Sequence, residues 1–225
     1  MAVKPTRPKL SRSPDHAKWH SRERSELQQL ALDFIIHELG NAASPVLMIA
    51  EVMERDATCA AGARSAKSLR GTASNLRELS EAIRFLRGDA SGERLTPRTF
   101  VNTAAWWNRM LPLCAACLDR SVRLTNDVAS VAADEHALGA LTWCTLGVLR
   151  LISSAFPAVR EVTVRCDAYT QTGVSISLAV PSEMPRDLTA TAQRWHRFVA
   201  AEAEGAGAKF SVLPTSAMTT FAVSL

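Results

Sequence analysis

Two long apolar helical repeats in succession constrain this chain more than any other feature. From residue 21 to residue 55, Leu27, Leu30, Ala31, Phe34, Ile35, Val46, Ile49, Val52 and Met53 fall on one broad stripe with helical periodicity. From 63 to 87 the repeat becomes heptad. Leu69, Leu76 and Ile83 take one position and Thr72, Leu79 and Leu86 the other, an a/d seam with one polar member. Residues 56–62 read as a turn, and Gly88 with Asp89 stops the second helix. Long helices joined by a short connection make an antiparallel hairpin. One hairpin cannot cover stripes this wide, so the pattern predicts a homodimer whose hairpins form a four-helix bundle. Pro45 takes one donor from the first helix and predicts a kink there.

After this hairpin, spanning 21–89, the texture changes. The stretch 88–97, GDASGERLTP, is a boundary, and 98–225 form a second domain. A helix is expected over 99–118, bent or split at Pro112, then a strand over 121–126. A long apolar helix over 134–155 has Asp134 as its cap. Strands follow at 162–166 and 174–180, then a helix over 187–203 ended by the glycine-rich EGAGA, then strands at 210–213 and 219–225. That order predicts one sheet covered by helices on one face. The expected fold class is α+β: a helical hairpin followed by an α/β sandwich.

Charge is unevenly spread. The formal net charge is +4. Much of it comes from Lys4, Arg7, Lys9, Arg12, Lys18, Arg22 and Arg24, opposed in that stretch by Asp15 and Glu23. With Pro5, Pro8 and Pro14 among these charges, residues 1–20 read as a disordered, solvated basic tail. The remainder is near neutral, which does not fit a folded nucleic-acid binder. The apolar run from Leu141 to Leu151 is broken by Thr142, Thr145 and Arg150 and reads as too short and too polar to cross a bilayer. No secretory signal is evident, so the expectation is a cytoplasmic protein with reduced thiols. Cys114 and Cys117 form a CxxC inside an apolar helical pattern, without the second ligand pair zinc needs, and read as core residues. Trp106, Trp107 and Trp143 likewise read as core or interface.

The chemically informative segment is Phe34-Ile35-Ile36-His37-Glu38-Leu39-Gly40-Asn41. On a helix, His37, Asn41 and Ser44 cluster on one side, at the flank of the apolar stripe. A neutral imidazole nitrogen there is a nucleophile able to accept a phosphoryl group. Glu38 can orient the other ring nitrogen or take its proton. Ile36 and Leu47 point away from the main stripe and, with Gly40 and Ser44, offer a protein-docking surface beside the histidine. The zinc-protease pattern HExxH fails because position 41 is Asn.

HELGN at 37–41, in the first helix of a hairpin, resembles the phosphoacceptor box of histidine kinases. By that resemblance His37 is the phosphorylated residue and Glu38 the acidic residue assisting transfer. Asn41 matches the residue that, in phosphatase-competent members, positions water against a receiver's phosphoryl group. The box's usual proline is absent at position 42. The second domain's element order also resembles the kinase ATPase domain. There the long helix carries N-L-L-x-N-A, and the matching stretch here is Arg150-Leu151-Ile152-Ser153-Ser154-Ala155. Where kinases have D-x-G-x-G this chain has Val180-Pro181-Ser182-Glu183-Met184-Pro185. A short connection replaces the ATP lid, and Gly205 and Gly207 follow the next helix as turn residues.

This degenerate pattern resembles the ChpT-type histidine phosphotransferases of bacterial phosphorelays, which pair a dimeric hairpin with a vestigial ATPase domain. The resemblance implies phosphoryl relay between receiver-domain aspartates through His37, without ATP. No cofactor or metal of the chain's own is expected, since Mg²⁺ would sit in the partner receiver. The expected partners are response-regulator receiver domains and a second copy of the chain, with no membrane or nucleic acid for the folded part. Three alternatives remain: a response-regulator phosphatase using Asn41, a non-catalytic dimeric pseudokinase scaffold, and a divergent ATP-using kinase.

Overall fold

The computed structural model describes residues 14–55, 69, 71–73, 76, 100–118, 121–168 and 173–225. Helix α1 spans Pro14–Arg55 and runs through Pro45. It therefore begins before the expected start at residue 21. Proline is tolerated in a first helical turn. The second hairpin helix and its seam lie mostly outside the described residues. Within them Leu69, Gly71–Ala73 and Leu76 are helical, and Thr72, the polar seam member, is buried.

The remaining elements are β1 (Phe100–Asn102), α2 (Thr103–Cys117), β2 (Arg123–Val128), β3 (Ala132–Asp134), α3 (Glu135–Ala155), β4 (Glu161–Ala168), β5 (Val174–Val180), α4 (Ala190–Gly205), β6 (Lys209–Pro214) and β7 (Thr219–Ser224). Five strands form one sheet in the order β2-β4-β5-β7-β6. β2 pairs with β4 in parallel, with α3 in the crossover, and the other pairs are antiparallel. β1 and β3 form a separate antiparallel pair. Thr103 ties that pair down: its hydroxyl meets the carbonyl of Ala129 and accepts from the Val131 amide, while its own amide donates to the Val131 carbonyl. Asn102 caps α2, accepting from the amides of Ala104 and Ala105. α2 continues through Pro112.

α2, α3 and α4 cover one face of the sheet, and α1 lies against all three helices. α3 is thus enclosed between α1, the neighbouring helices and the sheet. Every residue from Leu141 to Leu149 is buried, the burial expected of a helix apolar on all sides. By length and composition alone Ala137–Ala155 could cross a membrane, so the run is longer than the sequence reading allowed. It is 67% buried inside the fold. Its polar interruptions are accommodated internally. The hydroxyls of Thr142 and Thr145 donate to the carbonyls of Leu138 and Leu141, and the Trp106 indole donates to Thr142 at 3.2 Å.

The strands contribute alternate residues to the same core: Val162, Val164 and Cys166; Val174, Ile176, Leu178 and Val180; Phe221 and Val223. α4 approaches α3 closely at Gly147. A Cβ there would lie 2.8 Å from both Phe198 Cδ1 and Val199 Cγ2. Cys114, Cys117, Cys144 and Cys166 are free and buried. Burial pushes the Cys117 and Cys144 thiols up to about 12 and that of Cys166 to about 11. Burial, with Cys117 adding to it, raises Cys114 as well. These thiols are packing groups, including both members of the CxxC.

Candidate functional site

His37 lies near the middle of α1 and is exposed. Among the described residues its ring makes no hydrogen bond or ion pair. The helical rotation places His37, Asn41 and Ser44 within an arc of roughly 60°, and Ile36, Leu47 and Gly40 within roughly 40° beside it. Asn41 Nδ2 donates to Glu38 Oε1 at 3.3 Å, and Ser44 Oγ donates to the Gly40 carbonyl at 3.1 Å. Glu38 is half-buried and is held by Asn41 rather than by the imidazole. Nothing lies within 4 Å of a Cβ built on Gly40. A partner can therefore approach the backbone one turn after the histidine.

The surroundings are apolar and uncovered. Ile36 and Leu47 are each 65% exposed and Met48 64%. Leu32 and Leu39 extend the patch along the other flank. Sequence reasoning placed Ile36 and Leu47 here but missed Met48, Leu32 and Leu39. For Leu32 and Leu39 the spacing from Ile36 (32, 36, 39) was the available signal, submerged in the broad main stripe. The arrangement offers a nucleophilic nitrogen unencumbered among the described residues, with a carboxylate on the next residue and a primary amide one turn on, set in a surface that a protein could cover.

Residues matching the kinase nucleotide boxes are engaged elsewhere. Arg150, half-buried on α3, reaches Glu26 of α1 at 3.8 Å and lies 5.8 Å from the centre of the Trp195 ring. Ser154 Oγ donates back to the Arg150 carbonyl at 2.8 Å. After β5 the Ser182 amide returns to the Val180 carbonyl, and the Thr219 hydroxyl donates to the Ser182 carbonyl. The Thr189 hydroxyl then caps α4. Gly207, at φ +73°, occupies the left-handed turn between α4 and β6. Among the described residues no cluster of three or more His, Cys, Asp or Glu could hold a metal.

Two charges counted above with the basic stretch are built into the fold: Glu23, in α1, is 2% exposed. Arg24 forms a forked pair with Glu202 of α4, at 2.9 and 2.6 Å.

No protein-family model and no curated protein matches the chain. Solved structures do. A structure described as a bacterial phosphotransferase is 17% identical, covering 88% of this chain and 95% of its own, with a TM-score of 0.44. The histidine kinase domain of the blue-light-activated kinase EL346 from Erythrobacter litoralis is 14% identical, covering 81% and 95%, with a TM-score of 0.45. The Acinetobacter baumannii histidine kinase AdeS is 12% identical, covering 82% and 96%, with a TM-score of 0.44. The chain is similar to these proteins at low identity.

Proposed function

We propose that this chain is a histidine phosphotransferase of a bacterial two-component phosphorelay, carrying phosphoryl groups between receiver-domain aspartates through His37. The observation that carries the reading is the exposed imidazole that opens the HELGN segment, unengaged among the described residues and flanked by exposed apolar side chains. In the forward step the lone pair of a neutral ring nitrogen attacks the phosphorus of an aspartyl phosphate in line. The N–P bond forms as the P–O bond to the aspartate breaks, and that carboxylate leaves with the electron pair. Glu38 is the nearby base for the proton on the remaining ring nitrogen once the receiver's arrival reorganises its contact with Asn41. Mg²⁺ belongs to the receiver's acidic pocket.

Relay without ATP is the reading that the second domain supports. The positions matching the nucleotide boxes are spent on internal contacts, and Trp195, Phe198 and Val199 pack α4 directly onto α3. In this reading the chain is a dimer. Ile36, Gly40, Ser44 and Leu47 meet the receiver, and the second domain serves as a scaffold.

Asn41 supports a second reading as a response-regulator phosphatase. Its exposed amide could orient water against a docked aspartyl phosphate without any phosphohistidine.

The test is phosphoryl transfer from a panel of radiolabelled receivers, with His37→Ala and an ATP-only control. Acid-labile label on the wild type and none on the variant is the expected result. Rapid loss of label from a receiver with none on this chain selects the phosphatase. Labelling from ATP alone overturns the reading of the second domain.

A further inference from the structure

Six charged side chains from three helices meet where α1 crosses α3 and α4. Arg24 holds Glu202 in a two-bonded fork, and the Glu202 side chain is only 8% exposed. Arg194 of α4 lies 2.8 Å from Glu26 and 3.9 Å from Glu23. Arg150 of α3 closes the chain on Glu26 from the other side. The guanidinium groups also rest on indoles. Arg24 lies 5.2 Å from the centre of the Trp143 ring, and Arg150 and Arg194 lie 5.8 and 5.1 Å from that of Trp195. Both rings are buried.

Exposed ion pairs contribute little, because water screens them and long side chains lose entropy. This cluster differs in three ways. Its carboxylates are partly or wholly withdrawn from water. One arginine is fixed at two atoms, which sets direction as well as distance. The ring contacts restrict the guanidinium planes further. Immediately after it, Leu27, Ala31 and Ile35 enter the same core as Trp106, Trp107 and Trp195. The first half of α1 is thus attached by charge at one end and by apolar packing along the next turns.

We propose that this cluster is a fixed joint, making residues 23–35 of α1 and the α/β domain one rigid body. The helix then runs on without a proline as far as position 45. The eleven-residue step from Glu26 to His37 carries that orientation over about 16 Å. On the phosphotransfer reading above, Arg24, Arg150 and Arg194 are therefore positioning residues for the His37 face.

Hydrogen exchange of the intact protein tests the joint without any receiver. Amides of residues 27–35 should exchange within about thirtyfold of those of 141–149, because they open only with the domain. Exchange more than thirtyfold faster overturns the joint. The charge swap is the second test. Arg24→Glu and Glu202→Arg should each speed exchange in 27–35 at least tenfold, and the double reversal should recover most of the protection. Single reversals that leave exchange unchanged overturn the assignment of these residues. The two proposals fail separately. A joint that holds while no receiver labels His37 sinks the phosphotransfer reading alone, and His37→Ala should leave exchange as it is.

Discussion

The two halves of α1 are built from similar residues and meet opposite fates. In residues 23–35, Leu27, Ala31 and Ile35 are at most 2% exposed, and the charged side chains Glu23, Arg24 and Glu26 are met by partners on other helices. In residues 36–48, Ile36, Leu47 and Met48 are each more than 60% exposed, and His37 stands in the open. Hydrophobicity does not separate the halves. The first half sets Leu27, Ala31 and Ile35 against a matching surface within its own chain, and the second turns Ile36, Leu47 and Met48 outward. The comparison separates anchoring from presentation within one continuous helix.

The largest expected effect lies in the presented half. His37→Ala should abolish acid-labile labelling from a phosphorylated receiver, a loss of at least about a thousandfold. Its unfolding free energy should stay within about 0.5 kcal/mol of wild type, because an exposed side chain is removed. A destabilised variant would mean that the presented half is anchored after all.

Neighbouring isoleucines give the sharpest contrast. Ile35→Ala should cost about 3 kcal/mol in denaturant unfolding, from lost transfer energy and a residual cavity. Ile36→Ala should cost under about 0.5 kcal/mol. Similar costs for the two would erase the division between the halves.

A smaller effect of opposite sign is expected at Glu23. Its carboxylate is buried, neither oxygen has a hydrogen bond among the described residues, and Arg194 is closer to Glu26 than to it. Desolvation outweighs attraction in that geometry, so Glu23→Gln should raise stability by about 1 kcal/mol in thermal or denaturant unfolding. A clear loss would show that Glu23 carries the joint.

The smallest effect concerns pH. His196 of α4 packs against Phe210 with ring centres 5.3 Å apart, and burial lowers its pKa below the ordinary 6.5. The unfolded chain then binds the proton more readily than the folded one. His196 should therefore leave stability unaffected above pH 6.5 and lower it as pH falls through that value. His196→Gln should remove that part of the slope in unfolding measured between pH 7.5 and 5.5.

What the sequence disclosed follows from the range of the interactions. α3, β4, β5, α4, β6 and β7 were legible because each carries its own period or cap, such as the alternating burial of Val174 to Val180. β1 and β3 were missed: three residues cannot display an alternation, and positions 99–102 read as the start of the helix that Asn102 in fact caps. The HELGN segment was legible because its spacing is local to one helix. The joint was not. Arg24 and Glu202 are separated by 178 positions, and Arg194 and Glu26 by 168. No local pattern marks Arg24 as anything but another charge of a basic leader.

The strand order also bears on how the sheet is assembled during synthesis. Of the five strands of this sheet β7 is made last, yet it lies between β5 and β6 and supplies the pairing partner of both. Until residues 219–224 clear the ribosome, the nascent β4–β5 hairpin keeps a raw edge lined by Ile176 and Leu178, and β6 has nothing to pair with. Completion is therefore late and abrupt, and a chain stalled just before Thr219 strands two elements instead of one.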